Sequence, residues 1–158
     1  MNHPGATADR QPRPTRADYA AWRTATTRWR DDDAYGHLNN ATYYELFDTA
    51  VNAHLYDATG IDVRALPEIG VVAETSCRYF REIGFPEPIE MGLVVDKVGT
   101  SSIVYRIGLF QGDSDEAAAE GRFVHVYVDN SGGAGARPVT PIPDVVREAV
   151  VRLQRRDG

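Results

Sequence analysis

The chain has 158 residues, enough for one domain with a real core, and its 42% hydrophobic and 25% charged content is ordinary for a water-soluble globular fold. A net charge of −6 without a long basic run argues against a nucleic-acid partner. No segment approaches the ~20 apolar residues of a membrane span, and a single cysteine, Cys77, excludes an intramolecular disulfide and leaves no cysteine-based metal site.

Residues 1–17 contain three prolines and mixed charge and read as a mobile tail, with one domain over 18–158. The polar start lacks the apolar stretch of a signal peptide, so a cytoplasmic protein is the expectation. Trp22 to Trp29 is β-branched and aromatic and predicts a first strand. Over residues 41–58, Tyr44, Phe47, Val51, Leu55 and Ala58 recur at helical spacing, while Glu45, Asp48 and Asn52 share another face. Asn39 or Asn40 can cap this helix and Gly60 ends it.

Four more strands follow. In Ile69 to Phe80, Val71, Ala73, Thr75, Cys77 and Tyr79 alternate with Val72, Glu74, Ser76 and Arg78. Ile89 to Val98 and Ser102 to Phe110 are rich in Val, Ile and aromatics, joined by a tight turn at Gly99-Thr100-Ser101. The last strand runs from Ala118 to Asp129, with Val124, Val126 and Val128 on one face. Pro143 opens a terminal helix bearing Val145, Val146, Ala149, Val150 and Leu153. One long amphipathic helix needs a sheet to cover, and short-looped consecutive strands make that sheet mostly antiparallel. The fold class is therefore α+β.

The chemistry concentrates between the first strand and the long helix, at Asp31-Asp32-Asp33-Ala34-Tyr35-Gly36-His37-Leu38-Asn39-Asn40. An acidic turn runs straight into a helix start, so a carboxylate lies beside free N–H groups and the positive end of a dipole. One group can attack or activate water while the other steadies an oxyanion, which is the minimum for acyl transfer.

This block resembles the hotdog-fold acyl-CoA thioesterases of the 4-hydroxybenzoyl-CoA thioesterase type. Their signature is an Asp three residues before a Gly, usually with a second Asp two residues upstream; Asp31, Asp33 and Gly36 fit, and Gly36-His37-Leu38-Asn39-Asn40 matches the commonest continuation. Weaker matches follow in the right order at Gly99-Thr100-Ser101-Ser102, at Gly121 to Val126 and at Arg137 to Pro143. The resemblance implies a hotdog fold, an antiparallel sheet of about five strands wrapped around one long central helix, plus a C-terminal helix. It implies an acyl-CoA substrate, no cofactor and no metal, and a homodimer or homotetramer with active sites at the subunit interface. Carried onto these positions, Asp33 is the nucleophile or general base and the backbone amide of Asn40 polarises the thioester carbonyl. Gly36, His37, Asn39, Ser101 and Ser102 are the candidate substrate-binding residues, with Arg78, Arg81 or Arg137 near the coenzyme phosphates. A non-catalytic module that binds or senses acyl-CoA or acyl-carrier-protein thioesters is the alternative.

Competing readings fall away on chemistry. Asp31-x-Asp33 opens like a calcium loop, but Tyr35 and Thr42 stand where an oxygen ligand and a bidentate Glu are required. No Gly-x-Ser-x-Gly elbow supports a Ser-His-Asp hydrolase. Cys77, among apolar neighbours, reads as a buried inert thiol, and His125, between Phe123 and Tyr127, as a core-edge residue. Another thioesterase branch carries its acid on the central helix, at Glu45 or Asp48 here, but both fall on the polar stripe. Glu74 reads as a surface charge unless a second subunit covers it.

Overall fold

A computed structural model describes residues 12–132 and 135–155. Five strands, β1 (Ala21–Ala25), β2 (Glu68–Tyr79), β3 (Ile89–Val98), β4 (Ser102–Phe110) and β5 (Ala119–Asp129), form one antiparallel sheet in the order β1-β3-β4-β5-β2. Across it lies α1 (Asn40–Thr59), whose 20 residues span ~30 Å. The Asn39 side chain caps its start by accepting the Ala41 N–H at 3.0 Å, and Gly60 closes it in the left-handed region at φ 70°.

The buried stripe of α1 is Tyr43, Phe47, Ala50, Val51 and Leu55. Tyr44 is only half-buried and Ala58 exposed, so the stripe turns slightly from the one predicted. It packs on Met91, Leu93, Val95, Tyr105, Ile107, Leu109 and Phe123. The helix approaches so closely that a Cβ on Gly121 would stand 2.6 Å from the Phe47 ring. α2 (Asp144–Val151) covers the remaining core edge with Val146, Ala149 and Val150.

The sheet's other face has its own small cluster. Tyr19 lies over Gly92 and Gly108, which are cross-strand partners, and packs with Val94, Phe110 and Ala117. This docking begins earlier in the chain than composition suggests. The Ala117 N–H donates to Pro14 O at 2.8 Å, Thr15 bridges Glu116, and Arg16 pairs with Glu90 at 2.6 Å. The expected tail over 1–17 thus includes a tied segment from Pro14 onward, and residues 1–11 lie outside the described residues.

Two strand expectations are corrected. β1 ends at Ala25 rather than Trp29, because Ala25 pairs with Ile89, the first residue of β3, and no ladder partner lies beyond it; Trp29–Asp31 turn instead into a 3₁₀ helix. In β2 a bulge at Ala73 interrupts the alternation. Val72 therefore shares a face with His125, while Val71 faces away beside Val126; Thr75, Cys77 and Tyr79 resume the helix-facing side. β2 is also an edge strand, exposed from Val72 to Ser76.

Candidate active site

The three consecutive aspartates have three different jobs. Asp31 is buried at 6% exposure and accepts from Arg28 three ways: the backbone N–H at 2.7 Å, Nε at 3.2 Å and Nη2 at 2.9 Å. Burial pushes its carboxyl pKa up, but the Arg28 hydrogen bonds and charge outweigh that and leave it below the usual range. Its own carbonyl accepts the Asn39 N–H at 2.8 Å and the Thr42 hydroxyl at 3.4 Å, tying the turn to the first turn of α1. Asp32 accepts the Phe85 N–H at 3.1 Å and anchors the loop after β2.

Asp33 sits in a tight loop closed by its N–H on His37 O at 2.7 Å and by Gly36 N–H on its own carbonyl at 3.2 Å. Gly36 takes φ 81°, which a side chain would disfavour. One carboxylate oxygen, Oδ1, accepts the backbone N–H of Tyr35 at 2.8 Å and of His37 at 3.2 Å. Among the described residues nothing donates to Oδ2. The group is half-buried and oriented, with one oxygen held and the other available.

Asn40 is the first residue of α1, and among the described residues no acceptor takes its backbone N–H. Its side-chain Oδ1 accepts the hydroxyl of Tyr79, at the end of β2. Tyr79 in turn meets Tyr43 edge-on, with ring centroids 5.0 Å apart. The Leu38 N–H donates to Ile83 O at 2.7 Å, so the loop after β2 holds the helix start from the other side.

Of the predicted site residues, Asp33, Gly36, His37, Asn39 and Asn40 come together. His37 contributes its backbone N–H to Asp33, whereas its imidazole Nε2 pairs with Glu82 at 2.9 Å. Ser101 and Ser102 do not join them within one subunit. Ser102 faces Val126 on β5, whereas Tyr79 faces Ala119, seven residues or ~23 Å along the strand. Tyr79 and the 82–85 loop escaped sequence reasoning, since nothing local marks a residue 39 positions away as a helix-start contact. Burial pushes the Cys77 thiol up to about 11, in keeping with an inert thiol, and Glu74 pairs with Arg122 at 2.8 Å on the exposed face. Among the described residues no group of three or more His, Cys, Asp or Glu could hold a metal, and no helix is long and apolar enough to cross a membrane.

Asp31 supports this arrangement without facing the reacting region. Asp31→Ala is expected to cost about 2 kcal/mol of stability through the lost charge-assisted bonds. With the native pKa depressed, that contribution is present above the unfolded carboxylate pKa and fades as pH falls through the lower native value. Urea melts of wild type and variant should therefore differ at pH 7 and converge in strong acid; parallel curves at both pH values would remove Asp31 from the stability account.

One long helix laid across a five-stranded antiparallel sheet, with a second helix at the edge, is the hotdog fold. The chain belongs to the thioesterase-like superfamily, whose sequence model matches residues 27–150, and is by that membership a thioester hydrolase. Among solved structures it is similar to the PA5185 protein of Pseudomonas aeruginosa strain PAO1, with 44% identity, 91% of this chain and 98% of that one covered, and a TM-score of 0.84. A putative thioesterase from Pseudomonas aeruginosa, the PA2801 protein, is 28% identical over 82% of this chain and 96% of its own, with a TM-score of 0.72. The 1,4-dihydroxy-2-naphthoyl-CoA thioesterase of Synechocystis shares the fold at 12% identity, covering 82% and 94%, with a TM-score of 0.72. No curated protein matches the chain.

Proposed function

We propose that the protein is an acyl-CoA thioesterase in which Asp33 is the nucleophile or general base and the Asn40 amide binds the carbonyl oxygen. The observation that carries this is the half-held carboxylate: Oδ1 is fixed by two backbone amides, while among the described residues Oδ2 has no donor and the N–H of Asn40, which opens the adjoining helix, has no acceptor. A thioester carbonyl set on that N–H would have its developing oxyanion stabilised by a preorganised donor and by the helix dipole. Such a donor is worth about 3–4 kcal/mol in other hydrolases. Asp33 then either attacks the carbonyl carbon, expelling the thiolate and leaving an acyl-aspartyl anhydride that water hydrolyses, or takes a proton from the water that attacks, and the tetrahedral adduct collapses with loss of the thiolate. The solved thioesterases of this fold named for gentisyl-CoA and dihydroxynaphthoyl-CoA favour a coenzyme A thioester as the substrate class.

The active unit in this reading is a cytoplasmic homodimer, or a tetramer of such dimers, paired through β2. That strand offers a 12-residue edge with its middle exposed. Two-fold antiparallel pairing reverses the strand, so Tyr79 and Asn40 of one subunit come beside the start of the other's β2. Across β5 from that start lies Ser102. Ser101 and Ser102 of the partner subunit are then candidates for the coenzyme, beside Gly36, His37 and Asn39 of the first.

The test is thiol release from short, medium, long and aromatic acyl-CoAs, with a substrate-free blank to subtract any signal from the protein's own thiol, Cys77. Hydrolysis of at least one class is expected. No release from any of them, nor from acyl-carrier-protein thioesters, would replace the enzyme with a thioester-binding module.

A further inference from the structure

His125, midway along β5, is 3% exposed and ringed by aromatics, with centroids 4.9 Å from Phe123, 5.8 Å from Tyr105 and 6.4 Å from Tyr127. Burial lowers its pKa to about 4, so the ring is neutral near pH 7. No group among the described residues hydrogen-bonds its buried Nδ1. An unmet buried polar atom is costly, and such atoms are uncommon in native cores. The residue that would cover Nδ1 is a glycine: a Cβ on Gly70 would stand 3.0 Å from it.

Gly70 and His125 open onto a cavity of about 290 Å³ whose walls mix apolar residues, Leu55, Val63 and Ile69, with polar ones, Asn52, Arg64 and Asn130. Mixed walls, with one buried nitrogen that no described residue hydrogen-bonds, suit the end of a ligand that pairs apolar surface with a polar substituent. The cavity is remote from Asn40 of its own subunit. His125 lies six residues along β5 from Ala119, the partner of Tyr79, a separation of ~20 Å. In the dimer proposed above, two-fold pairing of β2 would instead set the cavity beside the other subunit's Asp33 loop.

We propose that this cavity takes the distal end of an acyl group bound at the other subunit's Asp33, and that His125 selects acyl groups bearing a hydroxyl or carbonyl there. The inference rests on the thioesterase reading and on pairing through β2. A site built to hydrogen-bond such a group discriminates strongly against the analogue that lacks it, because its own polar atom is then left unpaired.

The experiment compares kcat/KM for phenylacetyl-CoA with 4-hydroxyphenylacetyl-CoA, and for hexanoyl-CoA with 6-hydroxyhexanoyl-CoA. Wild type is expected to favour the hydroxylated member of at least one pair by about tenfold or more. His125→Phe brings that ratio to about one, and His125→Gln, which keeps a hydrogen-bonding group, retains part of it. Should His125→Phe fail to fold, Val63→Trp at the half-buried rim is expected to raise KM for the favoured substrate by about tenfold. Equal rates within both pairs, or a preference that survives His125→Phe, overturn the proposal while leaving hydrolysis itself established. If wild type hydrolyses none of the four, the wider substrate panel decides the thioesterase reading, and calorimetry with these four ligands must show the hydroxyl preference and its loss in His125→Phe or the cavity assignment fails.

Subunit geometry is tested by co-expressing Asp33→Asn and His125→Phe chains under different tags and purifying the doubly tagged species. One of its two sites then joins an intact Asp33 to an intact His125, and the hydroxyl preference returns. A preference that stays at the His125→Phe level, or the lack of any doubly tagged species, overturns the partner arrangement.

Discussion

Asp33→Asn is expected to lower kcat by about three orders of magnitude or more, a loss of about 4 kcal/mol in transition-state stabilisation, with little change in the affinity for coenzyme A. The substitution is nearly isosteric. An Asn in that place still presents an oxygen to the Tyr35 and His37 amides, so the loop around Gly36 keeps its shape. What disappears is the second carboxylate oxygen, which can bond to carbon or accept a proton, and the negative charge that an amide lacks. A merely structural aspartate would behave differently, since keeping its hydrogen bonds would keep the activity. Steady-state kinetics on the best substrate, calorimetry with coenzyme A and a thermal melt together decide the matter. A variant with near wild-type kcat would take Asp33 out of the mechanism, and one that has lost coenzyme binding would make it a binding residue.

Phe47→Ala is expected to carry the largest stability loss of any single side chain on α1, about 3–5 kcal/mol. The ring is fully buried, contributes to the main core and rests directly against Gly121 of β5. Its removal leaves a void that the rigid sheet cannot close, and for a domain of this size the melting temperature should fall by roughly 10 °C. The same contact supplies an internal control. Gly121→Ala in the wild type drives a methyl group to 2.6 Å from the ring and should destabilise; in the Phe47→Ala background the methyl enters the void and should cost much less. A coupling of about 1 kcal/mol or more in the double-mutant cycle is the expected signature. Additive effects, or a loss below about 1 kcal/mol for Phe47→Ala, would mean the helix can shift on the sheet, and the placement of α1 above β5 would need revision.

The legible parts of the chain were those governed by local rules. The span of α1 could be read within a residue or two, because a capping Asn, a 3.6-residue apolar repeat and a terminating Gly act over a few positions. β3, β4 and β5 were read to similar accuracy from β-branched and aromatic runs set between turn residues. The link between Asp33 and the helix start was visible for the same reason, since only six residues separate it from Asn40.

Illegible were features decided by neighbours distant in sequence. Nothing in Thr26 to Trp29 says that β1 must stop at Ala25; that follows from where β3 begins. The bulge at Ala73 arises from the match of β2 to β5 and exchanges the faces of Val71 and Val72, which no alternation rule anticipates. Docking of Pro14 to Tyr19 depends on the paired glycines Gly92 and Gly108, which leave a flat strip for the Tyr19 ring.

By itself, then, the sequence determined an α+β domain of the thioesterase-like superfamily with an acidic turn feeding a helix N-terminus, because capping, periodicity and turn chemistry are local interactions. Tertiary structure alone decided which aspartate is spent on Arg28 and which keeps an available oxygen. It also decided that Tyr79 grips Asn40, that Ser101 and Ser102 lie at the far end of the sheet, and that His125 faces a cavity with Nδ1 unmet. Each of these is a contact between segments far apart in the chain, and its geometry is set by strand register and helix placement rather than by any residue's own preference.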